Sequence, residues 1–376
     1  MRKLFIYQLI LILKRADLKM GLNAISLFTG AGGLDIGISK AGFNVKVCVE
    51  NDKHCVSTLK ENASHSIIID KSIKDISSKE LLEKAGLKKG EVDLIFGGPP
   101  CQSFSSAGKM RSIKDSRGTL IFDFVRLVEE IKPKTFLFEN VKQFRYIRAD
   151  PKKPKPHITK RDSDPNLVIN MLRKNFEGLG YTLNWGVLNS ADYGAPQKRE
   201  RTIIIGTLKE GKISFPKKTH SKEGSNIKKW RTLGDAIRNL KQDEEGMEYN
   251  EKRKKFLKLI PPGGYWKNLS PDLQKEAMGA KLKLGGGKTG FFRRLSYFQP
   301  SPTLCTSPKQ PGTDMCHPGK LRPLTVAEYA AIQEFPKSWI FKGNTTQKYK
   351  QIGNAVPIRL ANAIGKEIKS HIGKSF

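Results

Sequence analysis

The chain has 376 residues, 38% of them hydrophobic, enough for one large or two ordinary globular domains, and no long polar low-complexity tract interrupts it. Its 68 lysines and arginines stand against 36 acids, a net charge of +32 that points to a polyanionic partner, nucleic acid foremost. Five cysteines (Cys48, Cys55, Cys101, Cys305, Cys316) without a CxxC pair argue against a disulfide framework or a zinc ribbon, and predict a reducing compartment, the cytoplasm, with no metal.

At the N-terminus, Arg2 and Lys3 precede the apolar run Leu4–Leu13, which imitates the start of a signal peptide. Lys14-Arg15-Ala16-Asp17 then stands where a small-residue cleavage site belongs. Ten residues are also too few to span a bilayer. Residues 1–20 therefore read as an extension, either a helix packed on the domain or sequence ahead of a start at Met20, with no membrane contact.

From residue 22 to 206, short apolar runs alternate with helical patterns. Strands are predicted at Ala24–Phe28, Val45–Val49, Val92–Phe96, Thr135–Phe138 and Thr202–Gly206, and helices near 34–41, 53–62, 77–85, 119–131 and 167–178. Regular βα alternation implies an α/β fold, a mostly parallel sheet with helices on both faces, whose ligands bind beyond the carboxyl ends of the strands. Lys142–Arg161 interrupts the pattern with eight basic residues against Asp150 alone and with Pro151, Pro154 and Pro156, an extended basic loop. From about 209 to 300 the rhythm fails. Aromatics, lysines and glycines there (Trp230, Tyr249, Trp266, Phe291-Phe292-Arg293-Arg294, Tyr297) read as a second, irregular domain whose loops can face DNA. Leu360–Ile372 has helical spacing.

After the first strand comes Phe28-Thr29-Gly30-Ala31-Gly32-Gly33-Leu34-Asp35, where glycines let a ligand approach the backbone. Asp35 occupies the sixth position of a GxGxxG pattern, so the dinucleotide fingerprint is incomplete. Glu50, followed by Asn51, ends the second strand 20 residues after Gly30, where a carboxylate can accept both ribose hydroxyls of an adenosine. Asp75-Ile76 can serve the adenine by acceptor and by packing. These residues suggest an adenosyl ligand without choosing among nicotinamide, flavin and S-adenosylmethionine.

Gly97-Gly98-Pro99-Pro100-Cys101-Gln102 follows the strand run Val92–Phe96. Two prolines stiffen the loop and hold a thiol at a strand end, a mount suited to a nucleophile. Glu139-Asn140-Val141 closes another strand of the same sheet, and a carboxyl there can act as acid or donor if its pKa is raised. Gln197, Arg199 and Arg201 alternate along an extended segment, which directs an amide and two guanidiniums the same way, suited to phosphates or a base carbonyl.

Taken together these motifs resemble the cytosine-C5 DNA methyltransferases of prokaryotic restriction–modification type. The glycine turn, Pro100-Cys101-Gln102 with Asp115–Leu120, Glu139-Asn140-Val141, Gln197/Arg199/Arg201, Arg322-Pro323-Leu324-Thr325 with Glu328 and Gln333, and Gln351–Pro357 follow the family's order. The resemblance implies a Rossmann-like methyltransferase domain over 21–207 and 344–376 and a small target-recognition domain over 208–343, with Thr303-Leu304 as its landmark. It implies that Cys101 attacks C6 of a cytosine flipped out of duplex DNA, that Glu139 holds N3, that Asn140 positions the loop, that Arg201 contacts the base carbonyl, and that Arg199 and Gln197 belong to the same site. S-adenosylmethionine would lie near Phe28, Gly30, Ala31, Gly32, Gly33, Leu34, Glu50, Asn51, Asp75, Ile76, Pro100, Leu120, Asn354 and Val356. The expected partner is double-stranded DNA, bound by a monomer that shares its site with a cognate endonuclease. The alternatives are a tRNA methyltransferase of the same chemistry, whose Cys-Phe-Thr signature is missing here, and a catalytically silent DNA-binding protein, which retention of Cys101 and Glu139 disfavours.

Overall fold

The computed structural model describes residues 21–63, 65–100, 119–147, 167–240, 245–283, 285 and 287–373. The N-terminal extension, Cys101 and the rest of 101–118, and residues 148–161 of the basic loop lie outside the described residues.

Seven strands form the central sheet: β1 (Leu22–Leu27), β2 (Phe43–Glu50), β3 (Ile67–Asp70), β4 (Leu94–Gly97), β5 (Thr135–Val141), β6 (Thr182–Asn189) and β7 (Glu200–Thr207). Their order is β3-β2-β1-β4-β5-β7-β6. The first five are parallel, while β7 runs antiparallel to both β5 and β6. The antiparallel turn follows from chain length: too few residues separate β6 from β7 for a crossover helix. β3 and β6 go beyond the predicted strands. β3 is a short edge strand whose apolar run is only the three residues Ile67-Ile68-Ile69, with Ile67 exposed, and β6, at the other edge, mixes Asn184 and Gly186 into its apolar residues.

Helices α1 (Gly33–Lys40), α2 (Lys53–Asn62), α3 (Ser78–Ala85), α4 (Thr119–Ile131) and α5 (Val168–Gly178) fall where the sequence places them. Their starts are chemically marked: the Asp52 side chain accepts from the His54 and Cys55 N–H groups, and Ser77 accepts from Glu80. One face of the sheet buries Ile25, Leu27, Ile95, Phe136 and Phe138 under α3, α4 and α5, with the Phe124 ring against Phe136, Phe138 and Phe176 and Phe136 also against Phe176. Fully burying each such ring contributes about 1.5–3 kcal/mol. The other face buries Ala24, Val45, Leu94 and Phe96 under α1 and a C-terminal helix (Ile358–Gly373). That helix sits unusually close to α1, because a Cβ on Gly37 would lie 2.3 Å from the Ala361 Cβ.

Residues 208–343 contribute two short strands (His220–Ser221, Lys228–Lys229) and short helices at Leu233–Ile237, Glu251–Leu257, Pro271–Met278 and Val326–Gln333. Two core clusters serve this region. One, around Tyr249, Phe256, Trp266, Phe292 and Cys316, is drawn from it alone. The other combines Leu233, Leu304, Tyr329 and Phe335 with Ala31, Ile352 and Ile358, from both sides of the boundary drawn at 343.

Candidate active site

Between β1 and β4 the strand order reverses direction, and the crevice at their carboxyl ends is where a ligand finds exposed backbone. The β1 end turns sharply through three left-handed residues, Phe28 (φ 56°), Gly30 (φ 59°) and Gly32 (φ 85°). A Cβ on Gly30 would meet nothing within 4 Å among the described residues, so the turn borders open space. Glu50 closes β2 opposite it. Its Oε2 accepts from the Gly30 N–H at 2.7 Å, and its Oε1 accepts from Asn51 and Asp52 at 2.9 and 2.8 Å. Three backbone donors thus lock the carboxylate in one rotamer, while burial pushes its pKa up against their pull. Oε1 has both lone pairs occupied by these donors, while Oε2 keeps one for a hydroxyl donor.

The other predicted cofactor residues divide. Gly33 packs tightly: a Cβ there would lie 2.9 Å from both the Ala355 Cβ and the Val356 carbonyl. Asn51, Asp75 and Asn354 are exposed, and Pro100 and Leu120 are half-buried. Ala31, Leu34, Ile76 and Val356 turn their side chains into core clusters, which leaves chiefly their backbones for a ligand. Among the described residues no cluster of three His, Cys, Asp or Glu is placed to hold a metal, and no helix is long and apolar enough to cross a membrane.

Glu139 and Arg201 form the second half of the site. They sit on neighbouring antiparallel strands, with Val141 opposite Arg201 and Ile203 opposite Glu139. Arg201 Nε donates to Glu139 Oε1 at 2.8 Å. Burial pushes the Glu139 carboxyl up, and Arg201 and then Arg199 hold it back. The carboxylate reaches over the end of β4, where a Cβ on Gly98 would come 2.6 Å from Glu139 Oε2. The sequence marks Gly98 only as part of the doublet that ends the strand run, and the structure adds its contact with the carboxylate. Asn140 Nδ2 donates to the Pro99 carbonyl at 3.0 Å, and its Oδ1 accepts from the Val141 N–H at 2.9 Å. The strand carrying Glu139 is thereby tied to the backbone two residues before Cys101, which itself lies outside the described residues.

Gln197 and Arg199 depart from the expected common direction. They precede β7, so strand alternation does not govern them. Gln197 is fully buried: its Oε1 accepts from Leu304 N at 2.9 Å and its Nε2 donates to Gln333 Oε1 at 3.0 Å. Arg199 donates to the Leu304 carbonyl at 3.0 Å and to the Gly353 carbonyl at 2.7 Å. Both therefore join the Thr303-Leu304 segment to the rest of the chain, and of the three only Arg201 faces Glu139. In the irregular region Arg293 and Arg294 are likewise taken by carbonyls, of Asp314, and of Pro318 and Ile260.

The same fold recurs in solved structures. A crystal structure of S. pombe Dnmt2 methyltransferase superposes with a TM-score of 0.64 over 94% of this chain and 99% of that one at 14% identity, a likeness of fold alone. A prophage-encoded E. coli protein described as a DNA modification methyltransferase gives 0.63 over 94% and 99% at 26% identity. The fold is that of the methyltransferases. A C-5 cytosine-specific DNA methylase model matches residues 22–370, and the chain belongs to that family. Among curated relatives, the Type II methyltransferase M.PspPI of Psychrobacter sp. is 41% identical across 92% of this chain and 78% of its own, and M.Eco47II of Escherichia coli is 38% identical across 92% and 78%.

Proposed function

We propose that the protein methylates C5 of a cytosine extruded from a short duplex DNA site, with S-adenosylmethionine as donor, and that it is the protective half of a Type II restriction–modification pair. The observation that carries this reading is the buried Glu139–Arg201 pair poised over Gly98, where the chain leads into the Cys101 loop. A neutral pyrimidine ring carbon is a poor nucleophile, so the chemistry needs a group that adds to C6 and a group that stabilises N3. The Cys101 thiolate forms the S–C6 bond, and the displaced π electrons make C5 nucleophilic. Glu139, kept protonated more readily by burial, holds a proton at N3, while Arg201 donates to the base carbonyl. S-adenosylmethionine, when bound, supplies an electrophilic methyl group. The open turn at Gly30 and the locked Glu50 carboxylate fit its backbone and ribose contacts. Loss of the C5 proton to solvent then restores the C5–C6 double bond and expels the thiolate. The base must leave the helix, because a stacked cytosine offers neither face. The excess of lysine and arginine neutralises phosphates on the flanking duplex. The Type II names of the relatives support the pairing with an endonuclease.

The test is incubation with labelled S-adenosylmethionine and duplex DNA carrying 5-fluorocytosine, with tRNA transcripts in parallel. A denaturation-resistant adduct on duplex DNA, lost in Cys101→Ser, is expected. Adduct on tRNA alone would move the substrate to RNA, and no adduct with retained DNA binding would make the protein a silent binder.

A further inference from the structure

The segment that returns from the small region passes directly over the glycine turn. We propose that Trp339 forms a wall of the cofactor cradle, a contact outside every cofactor motif read in the sequence; this rests on the S-adenosylmethionine reading above. A Cβ on Gly32 would come 3.1 Å from Trp339 Cζ2 and 3.4 Å from its Cη2, so only a hydrogen separates the indole from the turn. The ring is held in place. It packs on Phe335 with centroids 5.9 Å apart, and the residues after it are fastened to α2. Ile340 exchanges two hydrogen bonds with the Asn62 side chain, the Lys342 N–H donates to Thr58 Oγ1 at 2.9 Å, and Lys342 Nζ pairs with Glu61 at 2.8 Å. Farther on, Lys350 Nζ reaches Asp52 at 2.8 Å, beside the Glu50 loop. The strap therefore touches both banks of the cradle, and Trp339 is its aromatic face. The indole N–H is buried and has no acceptor among the described residues, an unmet donor that the carboxylate or hydroxyls of an S-adenosyl group suit.

The other three tryptophans lie elsewhere: Trp185 on β6, Trp230 against Lys198, and Trp266 in the core cluster of the small region. Trp339 is thus the emitter beside the turn. The experiment titrates wild type, Trp339→Phe and Trp339→Ala with S-adenosylmethionine, by calorimetry and by tryptophan emission, with thermal melting as a check on folding. Wild type is expected to bind with a change in emission. W339F should lose that change and bind at least threefold more weakly, and W339A at least tenfold more weakly. If W339A does not fold, W339F decides. Binding by W339F within twofold of wild type, with the emission change retained, overturns the proposal. No binding by wild type overturns the cofactor reading itself, and the proposal with it.

Discussion

Arg201 Nε lies 2.8 Å from Glu139 Oε1, with only 9% and 11% of the two side chains exposed. Removing one partner of such a pair strands the other as an uncompensated buried charge. Arg201→Ala is expected to destabilise the protein by about 3–5 kcal/mol, whereas in a background of Glu139→Gln the same change costs well under that. Denaturant unfolding of the four proteins in a double-mutant cycle measures the coupling. Additive losses would mean that the two side chains lie close without energetic coupling.

Gly98 lies directly under the Glu139 carboxylate, three residues before Cys101. Gly98→Ala places a Cβ 2.6 Å from Glu139 Oε2, a distance real side chains do not tolerate. Because Arg201 and burial hold the carboxylate, the loop rather than the acid must give way. Methylation should fall by about 100-fold, the scale of a displaced general acid, with melting shifted by only a few degrees. Steady-state methylation beside calorimetry separates the two, and full activity would show that the loop has slack.

Much of this was legible because local chemistry and tertiary packing agreed. β4 and β5 are apolar runs buried on both faces, and α2 starts at Lys53 because Asp52 caps it. β4 begins at Leu94, two residues after the predicted start at Val92, and the Asp93 side chain accepts from the Asn23 N–H at 2.6 Å and pairs with Lys134. The fates of Arg199 and Arg201 were not legible. Equal spacing suggested one face, but the ladder begins only at Glu200, and the partners of Arg199 come from Leu304 and Gly353, over 100 residues away. Trp339 offered no signal at all, since its contact with Gly32 exists only once the chain has returned.

Asp35, noticed in sequence only for breaking a glycine pattern, is 8% exposed beneath the turn. Its Oδ1 accepts from the Cys48 thiol at 3.4 Å and its Oδ2 has no partner among the described residues. Burial raises its pKa from 3.8 to about 6, so the folded chain holds this proton more tightly than the unfolded one. The resulting stability is complete below about pH 4 and is lost as pH rises through about 6. Asp35→Asn, neutral throughout, should gain on wild type across that window by up to about 3 kcal/mol at pH 7.5. Urea unfolding at pH 4.5, 6 and 7.5 reads the difference, and a constant offset would mean that the carboxyl ionises freely in the fold.

Gln333 joins the small region to the segment before β7 and to the end of the helix that follows. Its Oε1 accepts from Gln197 at 3.0 Å, and its Nε2 donates to the Ile352 and Ala355 carbonyls at 2.7 and 3.0 Å. Gln197 in turn anchors Leu304, whose carbonyl receives Arg199. Gln333→Leu keeps the volume but removes the partner of the Gln197 Nε2 and of the Ala355 carbonyl, while the Ile352 carbonyl keeps the Ala355 N–H, so it should destabilise by about 1–3 kcal/mol for each group that no water reaches. Gln333→Glu retains an acceptor for Gln197 but sets a carboxylate against two carbonyls, and should cost more than the leucine. The order wild type, Leu, Glu in denaturation midpoint is the expected result. A glutamate as stable as wild type would show that the amide does not bridge the junction.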